Sequence, residues 1–164
     1  MSSKTQSSTL QLEISEELTV FDVDTKCKDV VIEDLADLFL AKNIVHDSYL
    51  DAVLERERHI PTGLITKVGG IAIPHTDPEY VKRSAIAIGR MKEPVKFNNM
   101  ANPKEQVDVN VVFLLAIADK EQVNPVLSKM AELLQNEIAF KTLLEIDNPR
   151  DFVAYFSKML STTE

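Results

Sequence analysis

The chain has 164 residues, 45% of them hydrophobic, and a formal net charge of −8. This size and apolar content predict one compact domain with its own core. The acidic balance argues against nucleic acid as a partner. The single cysteine, Cys27, excludes an internal disulfide and a cysteine-based zinc cluster, and we expect it to pack beside the first helix in a cytoplasmic protein.

The N-terminal third is predicted to contain a tail, a strand and two helices. Residues 1–8 are polar and serine-rich, so we expect a flexible tail before one domain spanning residues 9–164. Residues 18–23 can form a short strand. The spacing of apolar residues predicts helices over 29–42 and 48–58, the second of them capped by Asp47.

The rest of the chain is expected to alternate strands with helices. Strands are predicted over 70–73, 84–91 and 109–118, and the unbroken apolar run in the third predicts burial on both of its faces. Helices follow near Pro125, over 138–144 and over 149–160. This alternation is typical of an α/β or α+β domain in which helices cover a sheet.

One histidine has an unusual position. The segment GGIAIPHTD, residues 69–77, places His75 directly after a short apolar strand. Pro74 restrains its own φ and has no N–H, so the backbone leading to His75 is restricted. An imidazole, with an ordinary pKa of about 6.5, can act as a nucleophile or base near neutral pH. Position alone equally allows a reactive imidazole and an ordinary surface or core histidine.

Three short segments in order resemble the EIIA domains of the bacterial sugar phosphotransferase system. They are RE at 56–57, TG at 62–63 and IPH at 73–75. The likeness is to the fructose/mannitol (type 2) superfamily and is nearest to its galactitol-type branch. It implies a mixed β-sheet of about five strands flanked by helices, as in mannitol-type EIIA. It also implies a transfer reaction that uses no metal and no organic cofactor.

By this resemblance, His75 is the phosphoryl carrier of a phosphotransferase component. It would accept the group from the phosphohistidine of HPr and pass it to a cysteine of the cognate EIIB. The EIIB would then phosphorylate a sugar as the membrane component EIIC imports it. The alternative is an EIIA-like regulatory module, in which the phosphorylation state of His75 controls a protein partner.

The resemblance also implies a set of supporting residues around the phosphoryl group: Arg56, Glu57, Thr62, Thr76 and Gln122. A guanidinium can clamp two phosphoryl oxygens. The two hydroxyls, with the backbone N–H groups near Gly63, can donate hydrogen bonds to an oxyanion. We expect Glu57 to be structural and to orient either Arg56 or a loop amide.

The residue at position 122 helps to distinguish the mannitol-like branch of the superfamily from the galactitol-type branch. The mannitol-like branch has a second active-site histidine near the start of the helix after the central strand. Here that region reads DKEQVNP, residues 119–125, and the register favours Gln122 at this place, with Asn124 as the alternative. An amide can donate a hydrogen bond but cannot shuttle a proton. The remaining histidines, His46 and His59, are expected on the surface, and their spacing fits no metal-binding motif.

Overall fold

The computed structural model describes residues 11–161, which form a single five-stranded sheet covered by helices. The elements in chain order are β1 (Thr19–Val23), α1 (Lys28–Ala41), α2 (Tyr49–His59), β2 (Gly63–Ile65), β3 (Gly70–Ala72), β4 (Ala85–Asn98), β5 (Gln106–Ala116), α3 (Lys120–Gln135), α4 (Glu137–Glu145) and α5 (Pro149–Ser161). A mixed sheet of five strands with flanking helices confirms the expected fold class.

The sheet is mixed because its strands run in both directions. Its order is β1-β4-β5-β3-β2. β4 runs antiparallel to β5, and β2 antiparallel to β3, whereas β1 pairs parallel to β4 and β3 parallel to β5. The short strand β3 therefore ends beside the middle of the sheet, and this position brings the residues after it next to the centre of the core.

Two apolar layers enclose the sheet, one on each face. Alternate residues of a strand point to opposite faces. In β5, Val112 and Leu114 face α1 and α2, while Val111 and Phe113 face α3, α4 and α5. Phe113 stacks on Phe156 of α5 with a centroid distance of 5.1 Å. The predicted burial of this strand on both faces is confirmed.

Several local predictions were wrong. The strand β2 was not foreseen, since three residues show no period. The strand β4 continues past Met91 to Asn98, because the chain passes Pro94 through an irregular stretch of the ladder with β5 and then resumes pairing. Asp47 does not cap α2, which begins at Tyr49 after an N-cap residue without a side-chain bond. Cys27 is exposed rather than packed.

Two further sequence features are the predicted N-terminal tail and the lengths of the helices. The predicted tail, residues 1–8, lies outside the described residues. Within residues 11–161, no helix is long and apolar enough to cross a membrane.

Candidate active site

His75 stands just beyond β3, on a segment that stays attached to β5. Ala72 is the last β3 residue paired with β5, but the N–H of Leu115 still donates to the carbonyl oxygen of Pro74 at 3.0 Å. The hydroxyl of Tyr49 in α2 donates in turn to the Leu115 carbonyl at 2.7 Å, in a fully buried position. The backbone on which His75 sits is thus fixed to the middle of the sheet.

A single hydrogen bond determines which nitrogen of the His75 imidazole carries the proton. Nδ1 of His75 lies 2.9 Å from the carbonyl oxygen of Ile73. A carbonyl can only accept, so Nδ1 carries the proton and, in the neutral ring, Nε2 keeps a free lone pair. Burial lowers the pKa of His75 below its ordinary value, against the raising effect of the Ile73 carbonyl, and the charge of Arg56 lowers it further. At neutral pH the side chain is therefore a neutral imidazole with Nε2 available as a nucleophile.

A buried carboxylate lies behind this histidine. Glu57 is 4% exposed and Thr62 is 2% exposed. The Thr62 N–H donates to Oε2 of Glu57 at 2.9 Å, and the Thr62 hydroxyl lies 3.0 Å from Oε1 and 3.2 Å from Oε2. The same hydroxyl oxygen accepts from the N–H of Ile73 at 3.1 Å. A continuous series of contacts therefore joins the Glu57 carboxylate to the residue that holds the imidazole.

Glu57 titrates near neutral pH. Its burial raises the pKa of the carboxyl from 4.5 to about 7, while the two Thr62 hydrogen bonds and the charges of Lys28 and Arg56 act in the opposite direction. Desolvation is the dominant cause, because a charged carboxylate loses most of its hydration at this depth. Perturbed pKa values of buried ionisable groups are common at functional sites.

His75 opens onto a cavity of about 630 Å³. Its lining comes from α2, from the segment after β3 and from the first turns of α3: Arg56, His75, Thr76, Asp77, Pro78, Glu79, Lys120, Val123, Asn124 and Leu127. Nε of Arg56 is buried and has no hydrogen-bond partner within residues 11–161. Arg56 therefore brings a positive charge to the lining of the same cavity as His75, and a guanidinium is complementary in charge and shape to an oxyanion.

A second cavity, of about 490 Å³, lies between β2 and the junction of α3 with α4. Its lining is Leu64, Ile65, Thr66, Lys67, Val68, Leu134, Gln135 and Glu137. This lining contains neither a histidine nor a cysteine.

Comparison with known proteins agrees with this geometry. Residues 13–159 match the family model described as "Phosphoenolpyruvate-dependent sugar phosphotransferase system, EIIA 2". The chain belongs to this family. EIIA components of this system are phosphotransferase carriers, in accordance with the resemblance seen in the RE, TG and IPH segments.

Individual relatives of this EIIA cover most of its length. The galactitol-specific EIIA component of Escherichia coli (strain K12) is 30% identical over 128 residues, which are 78% of this chain and 84% of that protein. The transcriptional regulator ManR of Bacillus subtilis is 29% identical over 127 residues, 76% of this chain but 18% of ManR. The complex of mannitol enzyme IIA with phosphorylated enzyme IIB from Escherichia coli matches with a TM-score of 0.70 at 18% identity, covering 92% and 98% of the two chains. This last match shows a shared fold.

The EIIA structure brings together only part of the predicted site at the cavity. Arg56, His75 and Thr76 all line it. Glu57 and Thr62 lie behind the imidazole and do not reach the lining. The Thr62 hydroxyl is already bonded to Glu57 and to the Ile73 N–H, so it is not free to bind an oxyanion.

Gly63 likewise has a packing role. It pairs with Ala72 in the β2–β3 ladder, and a Cβ at this position would lie 2.5 Å from the carbonyl oxygen of Asn98. No real Cβ approaches a backbone oxygen so closely, so only a glycine permits β2 to lie against the end of β4. The expected oxyanion contact near Gly63 is therefore replaced by a structural one.

Gln122 does not line the cavity, whereas Asn124 does. The lining residues of α3 stand at positions 120, 123, 124 and 127 of one helical face, in the i, i+3, i+4, i+7 spacing. Gln122 lies off that face. Sequence inspection also missed Lys120 and Leu127, and the helical phase set by the buried Val126 and Met130 was the signal that could have found them.

The other histidines are separate from the site. His46 and His59 are both exposed, and Nε2 of His59 lies 2.7 Å from Oε2 of Glu55 one turn earlier in α2. Within residues 11–161, no group of three or more histidine, cysteine, aspartate or glutamate side chains is placed to hold a metal ion.

Proposed function

We propose that His75 of this EIIA takes a phosphoryl group on Nε2 from the phosphohistidine of HPr and delivers it to a cysteine of a cognate EIIB, in the cytoplasm. The observation that carries the proposal is the neutral imidazole, fixed through Nδ1, that opens onto a cavity lined also by the cationic side chain of Arg56. The identity to a galactitol-specific EIIA component supports a galactitol-type system, with a membrane EIIC as the indirect partner.

The transfer consists of two displacements at phosphorus. In the first, the Nε2 lone pair of His75 forms a bond to phosphorus while the bond to the donor imidazole breaks, and its electron pair leaves with the donor. In the second, the thiolate of the EIIB cysteine attacks phosphorus and the bond to Nε2 breaks. His75 returns to the neutral Nδ1–H form, so the carrier ends each cycle unchanged.

Electrostatics determine how the cavity assists these steps. The transition state of phosphoryl transfer is loose and spreads charge over the equatorial oxygens, so catalysis consists mainly of positioning and charge stabilisation. The Arg56 guanidinium supplies a cation to the lining of the cavity, and the Thr76 hydroxyl is the nearest side-chain donor in sequence. The carboxylates of Asp77 and Glu79 also line this cavity. They repel a phosphoryl group and favour its placement on the Arg56 side.

The experiment is phosphorylation of the full chain by phosphoenolpyruvate, enzyme I and HPr, followed by intact mass measurement. We expect a gain of one acid-labile phosphoryl group in the wild type and none in His75→Ala. His59, which is exposed, offers a matched control, because His59→Ala should be phosphorylated normally. An unmodified wild type, or a phosphorylated His75→Ala variant, would refute the proposal.

A regulatory role is the second candidate, because ManR contains a related segment that makes up a minor part of its length. Incubating the phosphorylated chain with a purified galactitol-type EIIB separates the two candidates. Transfer to the EIIB cysteine supports the transport role. A phosphoryl group that stays on His75 in the presence of EIIB favours control of another protein partner.

A further inference from the structure

We propose that Glu57 is a positioning residue for His75, acting through the Thr62 hydroxyl and the Ile73 main chain to hold the Nδ1–H tautomer. This inference rests on the proposed function of His75 and identifies the group that keeps its nucleophilic nitrogen free. Glu57 touches neither the imidazole nor the cavity, so its influence on the reaction passes entirely through the two residues between.

The first step is the contact between Glu57 and Thr62. An ionised carboxylate only accepts hydrogen bonds. Here it receives the Thr62 N–H at 2.9 Å and faces the Thr62 hydroxyl at 3.0 Å. All three groups are buried from water, so neither partner has an alternative acceptor in solvent. The carboxylate thereby fixes both the backbone and the hydroxyl rotamer of Thr62.

The second step is the direction of the hydroxyl. The N–H of Ile73 can only donate, so Oγ1 of Thr62 accepts at 3.1 Å. The single hydroxyl proton must then point to Glu57. A carboxylate that accepts this proton raises the electron density on Oγ1 and strengthens its contact with Ile73. A neutral group at Glu57 accepts this proton more weakly or donates to Oγ1 instead, and the strengthening of the contact with Ile73 is then lost.

The third step passes from Ile73 to the imidazole. The peptide between Ile73 and Pro74 has no N–H, so its carbonyl is its only polar group, and this carbonyl accepts from Nδ1 of His75 at 2.9 Å. The next carbonyl, that of Pro74, is held by the Leu115 N–H at 3.0 Å. With Ile73 anchored by Thr62 on one side and Pro74 anchored by β5 on the other, the Ile73 carbonyl keeps its direction.

The charged neighbours of this series are few. Lys28 of α1 and Arg56 of α2 act on the Glu57 carboxyl, and Arg56 and Asp77 act on the imidazole. Glu57 is therefore the carboxylate that is joined to His75 through the Thr62 hydrogen bonds and the main chain of Ile73. Its pKa of about 7 means that its charge changes near neutral pH.

The direct test is the tautomer of His75, read from the imidazole nitrogen signals of the full-length, ¹⁵N-labelled chain at pH 8. Wild type is expected to show the Nδ1–H form alone. In Glu57→Gln and Thr62→Val, the ratio of the two tautomers should shift by roughly tenfold towards Nε2–H, the effect of weakening one buried hydrogen bond. Thr19→Val, which removes another buried threonine hydroxyl, 2.8 Å from the Ser15 carbonyl, should leave the ratio unchanged.

The kinetic test is the pH dependence of phosphoryl acceptance from phospho-HPr. The wild-type rate should rise as Glu57 ionises through pH values around 7. In Glu57→Gln this rise should be absent, and the rate at pH 8 should be roughly tenfold lower. Thr62→Val should lose the same rise although its Glu57 still titrates, whereas Thr19→Val should keep it. This pattern separates an effect relayed by Thr62 from a direct charge effect.

Each outcome is decisive. A folded Glu57→Gln variant that keeps the Nδ1–H tautomer and the wild-type pH profile would overturn the inference, and so would a Thr62→Val variant that behaves in this way. A tautomer that depends on both residues in a chain that never accepts a phosphoryl group would sustain the inference and refute the proposed function instead.

Discussion

The two walls of the His75 cavity are built differently. The wall from α2 and the segment after β3 rests on buried polar groups that bond to one another, from Glu57 through Thr62 to Ile73. The wall from α3 presents Lys120 and Asn124, both exposed, at the surface of a helix. The first wall fixes the direction of a nucleophile, whereas the second leaves polar side chains free to adapt.

This difference suits the proposed transfer, in which His75 reacts first with a donor protein and then with an acceptor protein. In the proposed function, His75 keeps one geometry with both the donor and the acceptor, and its supports lie inside the protein, away from either partner. The opposite wall has to meet two different surfaces, and exposed side chains on a helix can reorient at little cost. Variants on the two walls should therefore differ in the size and kind of their effects.

The largest effect is expected on the buried wall, for Arg56→Ala. Removing this cation from the cavity that would hold the developing phosphoryl charge should slow acceptance from phospho-HPr by about 100-fold. Arg58→Ala is the matched control. The Arg58 side chain is exposed, and its guanidinium makes a long ion pair with Glu55 of the same helix, with 3.9 Å between Nη2 and Oε1. Stopped-flow or quenched-flow rates of phosphorylation measure both. Equal rates for Arg56→Ala and wild type would remove Arg56 from the site.

The second-largest effect is expected for Glu57→Gln, which should raise the free energy of unfolding although it slows phosphoryl acceptance. Because the folded state raises the pKa of Glu57 from 4.5 to about 7, its burial favours folding below pH 4.5 and this contribution is lost as the pH rises through 7. The full difference is worth about 3 kcal/mol. Glu57→Gln, which cannot ionise but keeps the shape, should raise the free energy of unfolding at pH 8 by about 2 kcal/mol after its weaker hydrogen bonds are deducted.

Urea unfolding at two pH values checks this prediction. The advantage of Glu57→Gln should be clear at pH 8 and should disappear at pH 4, where the wild-type carboxyl is protonated in both states. A variant that is less stable than wild type at pH 8 would show that the carboxylate stabilises the fold. The presence of a buried carboxylate in this wall would then be explained by stability, without a role in the reaction.

The smallest effects are expected on the α3 wall. Asn124→Ala removes one amide from the cavity and should slow phosphoryl acceptance by about threefold, the scale of one exposed hydrogen bond. Gln122→Ala, off the cavity-lining face, should match the wild type. Side-by-side rates with phospho-HPr as donor distinguish them. A larger loss in Gln122→Ala than in Asn124→Ala would mean that the helix turns its other face to the phosphoryl group.

The sequence was informative where the chemistry is local. The order of RE, TG and IPH segments indicated the family, and the apolar run of β5 predicted its burial on both faces. Local patterns were less informative where geometry depends on partners elsewhere in the chain. The strand β2 is too short to show a period, and it exists because Gly63 lets it pack against the end of β4. The choice between Gln122 and Asn124 depended on the phase of α3, which the buried residues of that helix set.

By itself, the sequence indicated the fold class and the family and, through the resemblance, His75 and Arg56 as candidate site residues. Those conclusions need only the order of residues along the chain. The tertiary structure alone decided which imidazole nitrogen carries the proton, why Glu57 titrates near 7, and which face of α3 meets the cavity. The reason is physical, since hydrogen-bond direction and desolvation depend on groups that folding brings together from separate elements. The immediate neighbours of a residue in the sequence do not specify them.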